Sequence, residues 1–189
     1  MMEDRTGKTF PNSPRQPYEV NSIIEDKTGK LWLSTRGNTF VCDARLADKQ
    51  GKKFTVVALD GKPFKNVRCI IEDRKGNIWL AGNDGLWRYD GSTFTNITRN
   101  FVGYVYEDRN GNIWTSSEES PRGSWALSRY DEKPLSNKYA AVPNIIKPKE
   151  GMIFGILEAR DGSIWFGTLN GVYRYDGNTI DDFKGKVKR

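Results

Sequence analysis

Ile71-Glu72-Asp73-Arg74-Lys75-Gly76-Asn77-Ile78-Trp79 decides the fold of this chain, because close variants of the stretch occur four times. The others are Ile24-Glu25-Asp26-Lys27-Thr28-Gly29-Lys30-Leu31-Trp32, Tyr106-Glu107-Asp108-Arg109-Asn110-Gly111-Asn112-Ile113-Trp114 and Leu157-Glu158-Ala159-Arg160-Asp161-Gly162-Ser163-Ile164-Trp165. An Asp that opens a turn and a Gly that supplies a positive φ join two β-rich runs into a hairpin. The recurring tryptophans Trp32, Trp79, Trp114 and Trp165 stand at intervals of propeller-blade size.

Extending the second copy outward gives a whole blade. Val67 to Glu72, Ile78 to Gly82, Leu86 to Asp90 and Ser92 to Ile97 alternate with turns at Asp73–Asn77, Asn83–Gly85 and Asp90–Gly91. Four short antiparallel strands of this kind make one propeller blade. The reading is therefore all-β, a propeller of four four-stranded antiparallel blades in a single domain over residues 1–189. The blades are expected at about 18–60, 65–98, 101–140 and 151–183, with a spare outer strand near 7–10. The four blades are expected to close alone. A two-chain ring of eight blades is the alternative, as is membership of a larger ring, so the chain is a monomer or a homodimer that completes a propeller. At one repeated position, the tryptophans read as structural wedges between neighbouring sheets.

Composition narrows the chemistry. The 189 residues carry a net charge of +6, but 30 basic residues are interleaved with 24 acidic ones, which argues against a nucleic-acid face. The one dense basic run, Lys184 to Arg189, reads as a solvated tail. No apolar stretch is long enough to span a membrane, and the first residues have no apolar core of a secretory signal. Histidine is absent, which removes the commonest general base and metal ligand. Cys42 and Cys69 form no metal motif and read as two free thiols, although spacing alone leaves a disulfide open. Asp108, Asn110 and Asn112 are half of a calcium loop that lacks its later acidic ligand, so they read as a turn. No metal and no cofactor are expected.

The residues resemble the two-component regulator propeller repeat, whose pattern is roughly I-x-E-D-x-x-G-N-I-W-L-G-T followed by G-L-x-R-Y-D-G-x-x-F. Ile71 to Phe94 follows it almost throughout, and Ile164 to Gly177 follows its second half. The resemblance implies a β-propeller of the kind found in extracytoplasmic sensors of membrane-bound histidine kinases, many of which respond to carbohydrate. It implies a periplasmic setting, although this chain has no membrane segment, no kinase domain and fewer copies than such sensors usually carry.

Strand order puts the Asp-x-x-Gly and Tyr-Asp-Gly turns on one face and the variable connections on the other. Variable loops on a rigid scaffold are where recognition is expected. That face should present Arg36, Asn38, Asn83, Asp84, Arg99, Glu118, Arg122, Trp125 and Asn170, joined by Lys65 and the connection Asn144 to Glu150. The insertion Ser116 to Ser124 is the most conspicuous, and Trp125 with Arg122 and Glu118 is expected to form a shallow polar site with an aromatic platform. Catalysis is not expected, because the repeated acids sit in turns and Glu118 and Glu119 are adjacent on one loop. The expected function is a ligand-binding sensor module recognising a small saccharide. A protein-interaction scaffold is the alternative, and a polysaccharide-active enzyme the third reading.

Overall fold

The computed structural model describes residues 19–43, 54–119, 123–135 and 142–183. Strands β1 (Val20–Glu25), β2 (Lys30–Thr35), β3 (Thr39–Asp43) and β4 (Thr55–Val56) form the first sheet. A small hairpin, β5 (Ala58–Leu59) and β6 (Lys62–Pro63), precedes the second sheet of β7 (Val67–Glu72), β8 (Ile78–Gly82), β9 (Gly85–Tyr89) and β10 (Phe94–Thr98). The third contains β11 (Val102–Glu107), β12 (Ile113–Glu118), β13 (Trp125–Tyr130) and β14 (Asn144–Glu150), with a short helix α1 (Glu132–Leu135) between the last two strands. The fourth is β15 (Ile153–Glu158), β16 (Ile164–Thr168), β17 (Gly171–Tyr175) and β18 (Ile180–Asp182). Pairing within the four sheets is antiparallel and sequential. This is the expected all-β propeller arrangement. One boundary moves: residues 144–150 are the outer strand of the third sheet and not an inter-blade connection, so that sheet runs past 140. The strand expected near 7–10 lies outside the described residues.

In three of the four repeated hairpins the turn is closed by a carboxylate that serves two purposes. Asp73 Oδ1 accepts from the backbone N–H groups of Lys75 at 2.9 Å and Asn77 at 2.8 Å. Its Oδ2 accepts from the indole Nε1 of Trp79 at 2.9 Å, deep in the sheet. Asp26 holds Trp32 in the same way at 2.8 Å, and Asp108 holds Trp114 at 2.8 Å. These three aspartates are buried, and a buried carboxylate is tolerable only when its acceptor sites are filled. The fourth copy has Ala159 instead. There Ser163 Oγ accepts from Trp165 Nε1 at 3.0 Å and donates to Asp161 at 2.6 Å, so a hydroxyl relays to an exposed acid.

The inner strands share a second device. In each of the pairs β1–β2, β7–β8, β11–β12 and β15–β16 the register shifts near the start, at Val20/Ser22, Val67/Cys69, Val102/Tyr104 and Ile153/Gly155. In an unbroken strand, residues i and i+3 point to opposite faces. The bulge reverses this, so that Val67 and Ile70, Val102 and Val105, and Ile153 and Ile156 are all buried in the cores between sheets. Strand β1 packs on β7, β7 on β11, and β11 on β15. Between the sheets lie three apolar cores among the described residues, each combining a tryptophan of one sheet (Trp32, Trp79, Trp114) with aliphatics of the next.

A polar ladder runs along the turn face beside these cores. The backbone N–H groups of Lys27, Arg74 and Arg109 donate to the carboxylates of Glu72, Glu107 and Glu158 in the following sheets, at 2.9, 2.9 and 2.7 Å. Their side chains reach on to the carbonyls of the neighbouring turn: Lys27 to Asp73 and Arg74, Arg74 to Asp108 and Arg109, and Arg109 to Ala159 and Arg160. Cys42 and Cys69 are not joined in a disulfide, and burial pushes the Cys69 thiol up.

Replacing Asp73 by Ala strands the Trp79 indole N–H and two turn amides, and a loss of about 3 kcal/mol follows from the cost of hydrogen bonds to a buried charge. Asp73→Asn, which keeps one acceptor, should lose about half of that, read as midpoint shifts in urea unfolding. The turn carboxylates also set the acid response. Burial raises the Asp26 pKa, but hydrogen bonds from Thr28, Trp32 and Lys30 outweigh it and hold the carboxyl below the ordinary carboxylate value. Ser163 and Arg174 hold Asp161 down to about 2. Native values below the unfolded value of about 3.9 contribute stability above that pH, which is lost as pH falls through the native values. The melting temperature should be flat from pH 7 to 5 and decline below about pH 4. An unchanged melting temperature at pH 2.5 would refute this assignment.

Candidate functional site

The connection leaving β4 and the turn between β8 and β9 converge on the face opposite the Asp-x-x-Gly turns. Between them is a cleft of about 500 Å³ lined by Leu59, Asp60, Lys62, Pro63, Phe64, Asn83, Asp84, Trp87 and Arg99. The β5–β6 hairpin forms one wall, and its tight turn places Asp60 and Gly61 at φ 50° and 75°. The β8–β9 turn forms the other. Gly85 at φ 97° is obligatory there, since a Cβ would lie 1.9 Å from the Thr98 carbonyl oxygen. This close approach brings the backbone before Arg99 against the turn and sets Arg99 at the rim.

The floor is aromatic. Phe64 is buried and meets the Trp87 ring edge-on, with centroids 5.5 Å apart, and Trp87 Nε1 donates to the Asp84 carbonyl at 2.8 Å. The Asp84 carboxylate accepts from Lys65 N–H at 3.2 Å, and Asn83 Oδ1 accepts from Asn66 Nδ2 at 2.9 Å. Both polar side chains therefore pin the chain entering β7 while remaining exposed. The arrangement offers an apolar ring beside an amide, two carboxylates (Asp60 and Asp84) and two cations (Lys62 and Arg99).

Of the residues expected to face a ligand, Asn83, Asp84 and Arg99 come together here. The rest do not join them. Arg36 is exposed and pairs with Glu19 at 3.3 Å, while the Asn38 carbonyl accepts from Thr35 in its own turn. Glu118 borders a separate hollow of about 290 Å³ with Asn100, Glu119 and Tyr130. Asn170 is exposed at the β16–β17 turn, where its N–H donates to Thr168 Oγ1. Trp125 is not an open platform: it is 9% exposed, packs edge-on against Phe101 at 5.2 Å and lies over Gly103. Arg122 lies outside the described residues. Sequence reasoning missed Phe64, Trp87 and the β5–β6 hairpin. The available signal was Trp87, an aromatic at the variable position of the G-L-x-R-Y repeat pattern.

No three of Cys, Asp and Glu among the described residues are placed to hold a metal ion. No helix among them is long and apolar enough to cross a membrane.

The chain spans about a quarter of the extracellular domains it resembles in structure. It is similar to the extracellular domains of two hybrid two component systems from B. thetaiotaomicron, with TM-scores of 0.71 and 0.65 at 19% and 20% identity. Those likenesses cover 94% and 92% of this chain but 24% and 23% of the others. A catalytically inactive histidine-to-alanine variant of virginiamycin B lyase from Staphylococcus aureus is also similar, with a TM-score of 0.65 at 16% identity over 97% of this chain and 62% of the lyase. At such identities the likeness is one of fold. No curated protein matches the chain in sequence. The sequence pattern of the two component regulator propeller family matches residues 15–37, 61–84 and 148–170, which hold three of the repeated hairpins. Three stretches of the chain thus match the two component regulator propeller repeat, and the fold that carries them is a β-propeller.

Proposed function

We propose that the chain is a non-catalytic, extracytoplasmic ligand-binding propeller of the sensor type, and that its cleft on the second sheet takes a short saccharide. The aromatic floor of Phe64 and Trp87 beside Asn83, Asp84 and Arg99 carries the reading. A sugar ring presents an apolar C–H face and a rim of hydroxyls. The cleft pairs one aromatic surface with donors and acceptors at its edge, as small-molecule sites do. The sensor domains among the structural neighbours support the setting and the signalling role. The lyase neighbour is inactivated by loss of a histidine, and this chain has none. That supports binding without chemistry.

A glycan-array screen followed by titration monitored through tryptophan fluorescence tests the proposal. Trp87→Ala and Arg99→Ala should each weaken a confirmed saccharide at least tenfold, whereas Asn170→Ala on the fourth sheet should leave it unchanged. Arg99 is exposed, so its variant keeps the test valid if Trp87→Ala disturbs packing. Binding that ignores both cleft variants would sink the assignment.

A further inference from the structure

The chain builds the same sheet-to-sheet interface three times and leaves each half of a fourth exposed. On the leading side of an interface stand a tryptophan, an aliphatic or aromatic residue from the inner strand, and the cation of the turn. On the receiving side stand two inner-strand aliphatics and a glutamate. Trp79, Ile71 and Arg74, for example, meet Val102, Val105 and Glu107. In the fourth sheet the leading residues are Trp165, Leu157 and Arg160. Leu157 is 60% exposed and Val172 is 46% exposed, whereas Leu86, at the place of Val172 in the second sheet, is fully buried. In the first sheet the receiving residues are Val20, Ile23 and Glu25. Val20 and Ile23 are 45% and 59% exposed, where their counterparts Val67 and Ile70 are both 2%. Strands β1 and β15 do not pack on each other as consecutive inner strands do.

We propose that these two halves meet between copies of this chain: the fourth sheet of one copy docks on the first sheet of a second. The contact is head-to-tail, and two such contacts close a ring when the rotation allows it. Two copies give eight sheets, within the range in which propellers close. The ladder supplies the register and the charge complementarity. Arg160 of one copy takes the place that Arg74 and Arg109 hold within the chain, with its backbone N–H on the Glu25 carboxylate of the other copy. Its guanidinium then reaches the carbonyls of Asp26 and Lys27, as Arg109 reaches those of Ala159 and Arg160. A partner of unrelated surface would match the apolar area but not this spacing of indole, cation and glutamate.

Sedimentation equilibrium of the full chain over a range of concentrations tests the proposal, with an expected limiting mass of twice 21.6 kDa. Ile23→Asp and Leu157→Asp change exposed residues, so each should leave the far-ultraviolet circular dichroism intact and raise the dimer dissociation constant at least a hundredfold. Arg160→Glu and Glu25→Arg should each weaken the dimer about tenfold, and the two changes in one chain should restore it, because each Arg160 position faces a Glu25 position of the other copy. A folded monomer at all concentrations would overturn the proposal and leave the faces to repeats of a longer chain or to a different protein. A dimer indifferent to these four changes, or a mass of three or more copies, would overturn it as well.

Discussion

The bond from a turn aspartate to a tryptophan indole is the constraint on which the rest of the molecule depends. One carboxylate caps two backbone amides of a tight hairpin and grips an indole six residues on, so local turn geometry and the orientation of the largest core side chain are set together. A tryptophan in a sheet can adopt several rotamers. Tied by its nitrogen to the turn, Trp79 packs in one apolar core with Val102 and Val105 of the following sheet. The buried charge is tolerated because its acceptor sites are filled.

From that anchored ring the inter-sheet architecture follows. In the second, third and fourth sheets the bulge near the start of the inner strand turns two aliphatics three residues apart toward the preceding sheet, where they meet the neighbour's tryptophan. At the turn end, cation and glutamate from adjacent copies interlock through both backbone and side-chain atoms. Ion pairs at an exposed rim contribute little by themselves. Here the backbone donor makes the contact directional, so the ladder specifies the offset between sheets while the apolar cores supply most of the energy. The fourth copy shows what varies when the anchor is lost. With Ala159 in place of the aspartate, Trp165 depends on a serine hydroxyl, is only partly buried and stacks on Phe183 at 5.0 Å.

The candidate cleft arises where the repeat is interrupted. The second sheet has the most regular turns, and the segment before it, residues 57–66, folds a small hairpin over the turn between β8 and β9. Polar residues that would otherwise be free, Asn83 and Asp84, tie the two segments together, and a glycine without a Cβ lets a third backbone approach. By contrast, Trp125, next to the insertion that the sequence marks as most conspicuous, is turned inward. That residue continues β13 and fills the space beside Gly103, so its ring contributes to packing.

The sequence by itself determined what is closed by short-range bonds: the hairpins, their turn chemistry, the four-stranded sheets, the face on which turns are short, and the place of each tryptophan. Those features depend on groups a few residues apart, so their pattern is visible in the chain and recurs with it. Three of the nine expected ligand-facing residues, Asn83, Asp84 and Arg99, line one cleft. Only the tertiary structure decided that they do so with Phe64 and Trp87, that Trp125 is buried, and that residues 144–150 form a strand. It also decided which aliphatics face which neighbour, because a one-residue bulge exchanges the two faces of a strand without changing its composition. Burial depends on which surface arrives opposite, and the same valine or isoleucine is 2% exposed in β7 but about half exposed in β1.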